Sequence, residues 1–147
     1  MFRKLAFAVA SVSALMLATM ALAETAKYGT AEEARALLDR AVALLKAEGP
    51  AAIPQLDSDS FRDRDLYVFC SNVSDSVSVV HPTAKGVKIL DYDFGKEVMA
   101  NATEGEVKEV TYEWRRPGTD SDAPVKKKAY YTKVGDLICG SGYYVKP

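Results

Sequence analysis

The run Asp65-Leu66-Tyr67-Val68-Phe69-Cys70-Ser71 is the most strand-like stretch of the chain. Aromatic and β-branched residues fill it, it holds neither Gly nor Pro, and polar clusters bound it on both sides. It carries one of the two cysteines; the other, Cys139, lies in a second apolar run, Asp136-Leu137-Ile138-Cys139-Gly140, close to the C-terminus. If the two runs are neighbouring strands of one sheet, a bridge between their sulfurs closes most of the mature chain into one covalent loop.

Whether that bridge forms depends on the compartment. Arg3 and Lys4 precede an uncharged apolar run from Leu5 to Leu22, and Ala21-Leu22-Ala23 offers small residues where a signal peptidase reads. Residues 1–23 therefore read as a signal peptide cleaved after Ala23. The rival reading is a retained anchor, since the run approaches spanning length. Export to the periplasm or the exterior favours a disulfide, and two cysteines allow one pairing, Cys70 with Cys139. Two buried thiols in adjacent core strands are the alternative.

The chain beyond residue 23 suits a single domain, 30–147, behind a loose leader, 24–29. The whole sequence holds 19 Lys and Arg against 20 Asp and Glu, with two of the cations and none of the acids in the signal segment. The exported part is thus slightly acidic. No basic excess argues for nucleic acid, and no second apolar segment can span a membrane.

Thr30-Ala31-Glu32-Glu33 is a capping box, and Ala34, Leu37, Leu38, Ala41, Leu44 and Leu45 come after it at helical spacing until Gly49-Pro50 stops them. A helix over 31–48 with one apolar stripe needs one partner surface, and a sheet is the obvious one. Pro50 to Leu56 suits a short second helix. The polar segment 57–65 spaces its acids in a way that invites calcium. Phe61 and Arg62 stand where an EF-hand loop needs a ligand and a glycine, so it reads as a solvated connection. Strands are expected over 66–71, 77–81, 106–114, 125–134 and 137–145, with a loop and short helices over 83–102. The order predicts an α+β domain: an antiparallel sheet, the long helix on one face, and the insertion 83–102 capping the other. A sheet face under such a cap suits a small ligand.

Arg62-Asp63-Arg64-Asp65-Leu66-Tyr67-Val68-Phe69-Cys70, His81-Pro82, Tyr112-Glu113-Trp114 with Pro117, Lys127-Lys128-Ala129-Tyr130, Val134-Gly135-Asp136 and Gly140-Ser141-Gly142-Tyr143 occur in one series. That series resembles the single Cache domain, the extracytoplasmic sensor module of bacterial chemoreceptors and sensor kinases. The resemblance implies a PAS-like fold: a five-stranded antiparallel sheet behind a long N-terminal helix, with its first and last strands adjacent at the centre. The sequence ends at Lys146-Pro147 without a membrane helix, so it resembles the free-standing exported members.

The same resemblance implies a pocket for a small organic anion, often a short carboxylate, lined by Tyr67, His81, Trp114, Lys127 and Tyr130. A membrane receptor or sensor kinase is the implied protein partner. Strict alternation sets Lys127 and Tyr130 on opposite faces, so both line one pocket only across a bulge. Lys126-Lys127-Lys128 also reads as a solvated charge run. The catalytic signatures are missing: Gly140-Ser141-Gly142 lacks nucleophile-elbow spacing, and there is no phosphate loop and no CxxC. The one histidine with Cys70 and Cys139 makes a weak metal set. The expectation is a non-enzymatic binding module without cofactor or metal. The alternative is a protein–protein interaction or structural domain with a collapsed pocket.

Overall fold

The computed structural model describes residues 27–145; the expected signal segment, its cleavage site and the first leader residues lie outside them. Helix α1 spans Ala31–Glu48. The Thr30 hydroxyl accepts from the Glu33 N–H at 3.2 Å, while the Glu33 carboxylate accepts from the Thr30 N–H at 2.9 Å. Those two bonds satisfy donors that a helix start leaves without partners. Ala34, Leu37, Leu38, Ala41 and Leu45 form its buried stripe. A 3₁₀ turn, Gly49–Ala52, and a single-turn helix α2, Ile53–Leu56, come next.

Six strands make one antiparallel sheet: β1 (Arg62–Asp63), β2 (Leu66–Asn72), β3 (Ser78–Val80), β4 (Lys108–Arg115), β5 (Pro124–Val134) and β6 (Leu137–Tyr144). Their order is β2-β6-β5-β4, and β1 and β3 share the outer edge of β2. The five expected strands are all present, with the two-residue β1 added. Strands β2 and β6 run side by side at the centre with Cys70 directly opposite Cys139.

Period-two alternation divides the sheet into two faces. Leu66, Val68, Cys70, Leu137 and Cys139 join the α1 stripe in one core. On the other face Val110, Ala129, Tyr131 and Ile138 pack under Val98 of α3 (Asp93–Asn101). A 3₁₀ turn at Ile89–Asp91 lies just before α3, so the insertion covers this second face. Among the described residues no helix is long and apolar enough to cross a membrane.

The connection 57–65 is less solvated than its composition suggests. Phe61 and Asp65 are buried, and the Asp65 carboxylate accepts from the Gly29 N–H at 2.7 Å. The Tyr28 carbonyl accepts from Arg64 at 3.0 Å, so residues 28 and 29 are tied to the start of β2.

Cys70 and Cys139 are bonded to each other across 69 positions of sequence. Removing a bridge over a loop of that length releases at most about 4 kcal/mol of unfolded-chain entropy. The paired substitution Cys70→Ala with Cys139→Ala should therefore lower the stability read from urea unfolding by a few kcal/mol, with a somewhat steeper slope because the unfolded chain expands without the cross-link. A loss below about 1 kcal/mol would mean that the central pair holds without its staple.

Candidate functional site

The face of the sheet turned away from α1 carries the chemistry. Alternation along β2 aims Phe69 and Ser71 at the insertion, along β4 Val110, Tyr112 and Trp114, and along β6 Ile138. The insertion answers with Ala84, Val87, Ile89, Tyr92, Phe94 and Val98, and Ser78 and His81 complete the wall. These enclose a cavity of about 40 Å³, room for a few non-hydrogen atoms. Phe94 stacks on Tyr112 at 4.1 Å between ring centroids, and Trp114 stands 5.7 Å from both Tyr92 and His81.

Lys127 of β5 is wholly buried and does not itself line this cavity; its ammonium lies against the Phe69 and Tyr112 rings, which do. Its Nζ lies 4.0 Å from the Tyr67 ring centre, 5.3 Å from those of Phe69 and Tyr144, and 5.8 Å from that of Tyr112. It donates to the Tyr67 hydroxyl at 2.8 Å. Among the described residues no carboxylate lies within ion-pairing distance of it. Phe69 and Tyr112 belong both to this box of rings and to the cavity wall. Tyr67 also borders a second hollow of about 160 Å³, edged by Pro82, Thr83, Arg115, Pro117 and Gly118.

Two glycines of β6 make the box possible. A Cβ on Gly142 would stand 2.8 Å from Lys127 Cε and 2.6 Å from the Lys128 carbonyl, and one on Gly140 would meet the Phe69 ring at 2.4 Å. Close approach therefore explains Gly140-Ser141-Gly142: the bare backbone leaves space for side chains crossing from β5 and β2.

His81 lies just after β3. Its Nδ1 accepts from the Thr83 and Ala84 N–H groups, each at 3.0 Å, which leaves the proton on Nε2. Asp57 steadies that corner, accepting from the His81 N–H at 3.3 Å and from Lys85 at 2.5 Å.

No family model matches this sequence, and no curated protein matches it. Solved structures do, among them two with TM-scores of 0.56 and 0.54, each 25% identical and each matched over 78% of this chain. The first is a Cache chemosensory domain whose structure gives the basis for carboxylic acid recognition, matched over 88% of its length. The second is the periplasmic sensor domain of a chemotaxis protein, matched over 90%. The chain carries a single Cache domain.

Within this Cache domain, four of the five residues named from the sequence gather in one place. Tyr67, His81 and Lys127 lie within one packed group, with the Tyr67 and His81 ring centres 5.0 Å apart, and Trp114 closes it beside His81. Tyr130 stands apart. The β5 register runs unbroken through residues 127–134, so Tyr130 faces α1, beneath Arg35 at 5.9 Å and beside Tyr143. The sequence reading missed Phe69, Tyr112, Tyr144 and the roof residue Phe94. Counting in twos from Tyr67 reaches Phe69, and counting in twos from Trp114 reaches Tyr112. It also missed the buried pair at the rear, where Arg116 Nε approaches Asp65 to 3.2 Å and its guanidinium covers the Tyr28 ring at 4.0 Å.

Burial dominates the titration of the site. It brings the Lys127 ammonium down to about 7, against the weaker opposing pull of Asp65. Burial, helped by the charge of Lys127, takes His81 to about 3. It raises the Tyr67 and Tyr112 phenols and lifts Tyr144 to about 12. An unfolded lysine keeps its proton up to its ordinary value of about 10.5, so between pH 7 and that value the unfolded state binds more protons and stability rises with pH. Thermal unfolding from about pH 7 to pH 9.5 should show this climb in the wild type and lose most of it in Lys127→Met. Identical profiles would mean that Lys127 keeps its proton in the fold. Below pH 6.5 stability should fall, because unfolded His81 takes a proton that folded His81 refuses down to about pH 3.

Proposed function

We propose that this Cache domain is an exported sensor module that captures a small organic anion, a short carboxylate in the first instance, in the cavity between the sheet and the insertion. One observation carries the reading: a fully buried lysine that, among the described residues, forms no ion pair, packed against two of the rings that wall a small cavity. A buried cation without a counter-charge is costly, and an anion is what relieves the cost. His81, Ser71 and Ser78 add neutral hydrogen-bonding groups at the wall, and the aromatic rings suit a short apolar tail. The residues bordering the cavity include no Asp or Glu, so an amino-acid ammonium would enter without a partner. That composition favours simple monocarboxylates.

In this reading Tyr67, His81, Trp114 and Lys127 are the ligand-side residues, and Tyr130 supports α1 instead. The disulfide and the periplasmic sensor relative support an extracytoplasmic location. Residues 1–23 serve as the export signal, 30–147 form the one binding domain, and a membrane receptor or sensor kinase receives the loaded form.

Acetate, propionate, lactate and pyruvate should be tested by thermal shift at about pH 6.5. A bound acid at a hundredfold over its Kd stabilises by about 2.7 kcal/mol, a rise of several degrees in Tm. Lys127→Met should abolish the rise while leaving the fold intact by circular dichroism. No shift with any of these acids, or an equal shift in the variant, would overturn the reading.

A further inference from the structure

Resting on that reading, we infer that anion capture by this domain is coupled to the uptake of one proton from solvent by the Nζ of Lys127. The geometry around that nitrogen is the reason. Among the described residues its hydrogen-bond partner is one phenol, Tyr67 at 2.8 Å, and the rings of Tyr67, Phe69, Tyr112 and Tyr144 stand around it. Such a box solvates an ammonium incompletely, since a cation over ring faces recovers only part of what water gives. As a neutral amine the nitrogen is content: it can accept the Tyr67 O–H through the same short contact. When a carboxylate arrives, the pair is stable only as ammonium and carboxylate. The amine takes a proton from the medium and donates to the Tyr67 oxygen, and the freed phenol O–H is then available to donate to the anion.

The other charged groups facing Lys127 do not compete for this proton. From β2 comes Tyr67, and from the turn just before it Asp65, held by the Gly29 N–H and Arg116. From β4 comes Tyr112. From β6 comes Tyr144, whose hydroxyl donates to the Arg115 carbonyl at 2.7 Å. From the segment after β3 comes His81, its Nδ1 already occupied by two backbone donors. Burial keeps all three phenols protonated well past neutrality and His81 uncharged down to about 3. Lys127, brought down to about 7, is the group in this set that changes charge in the neutral to mildly alkaline range.

The linkage sets the size of the effect. Above about pH 7 the apparent affinity for a carboxylate falls close to tenfold per pH unit, because each binding event must supply a proton that is growing scarcer. The test is calorimetric titration of the wild-type protein with propionate, in buffers of low and high ionisation enthalpy, at about pH 6 and about pH 8.5. The expected result is nearly one proton taken up per propionate at the higher pH and close to none at the lower. Lys127→Arg, a permanent cation, should bind without proton uptake at either pH; if it does not fold, the wild-type measurement decides alone. Propionate binding at the higher pH with no proton exchange overturns this inference and leaves anion capture standing. Failure of propionate and of the other acids to bind even at the lower pH overturns anion capture, and proton coupling falls with it.

Discussion

The antiparallel seam between β2 and β6 is the constraint on which the rest depends. It joins a strand from the first half of the chain to the last strand, and the Cys70–Cys139 bond fixes its register. Once Cys70 faces Cys139 on the α1 side, alternation leaves no freedom on the other. Phe69 and Ser71 must face the insertion, and so must Ile138, Gly140 and Gly142. A slip of one residue would bury the aromatic face against α1 and turn Leu66, Val68 and the half-cystines toward the cavity. The disulfide therefore does more than restrict the unfolded chain: it pins the face that carries the candidate site.

Strand β5 completes that face by crossing β6 with equal rigidity. Lys127 lies opposite Tyr144 on one side and Tyr112 on the other, so two of its four ring neighbours come from simple cross-strand pairing. The other two come from β2, reached over the bare backbone of Gly140 and Gly142. The lysine is thus held by four strands that the seam has already positioned. Nothing in the arrangement requires the insertion, whose part is to roof the cavity and exclude water.

How much of this could be read from the chain depends on where the information lies. The span of α1 was legible because Thr30, Glu33 and Gly49 mark its ends through local hydrogen bonding and local breaks in the pattern. The central seam was legible from two cysteines and an expected export signal, together with the resemblance in motif order. Lys127 was ambiguous because Lys126-Lys127-Lys128 looks the same whether its middle member points to water or into the core. Only the pairing with Tyr112 and Tyr144 decides that, and register is a property of three strands together. Tyr130 illustrates the same limit: alternation already set it opposite Lys127, yet the family likeness suggested one pocket for both, and the unbroken β5 register upholds the alternation. Asp65 was obscured by its charged neighbours, since burial at the edge of a polar run depends on the residues that fold over it, here Gly29 and Arg116.

The buried lysine is the one place where local rules and the fold disagree. A methionine of similar length would fill the same box of rings without desolvating an amine, so packing alone gives no reason for Lys127. Replacing both partners of a buried polar contact by apolar groups of like shape can be neutral or stabilising, so the Lys127–Tyr67 contact as a whole is not needed for packing. A residue that breaks the rule and weakens the fold is best explained by the state in which the break is mended, and for an amine that state contains an anion. The same conflict makes the domain responsive. In the proposed reading part of the stability forgone at Lys127 is restored when the counter-charge arrives, and that difference in free energy between empty and loaded forms is what a sensor module has to pass on.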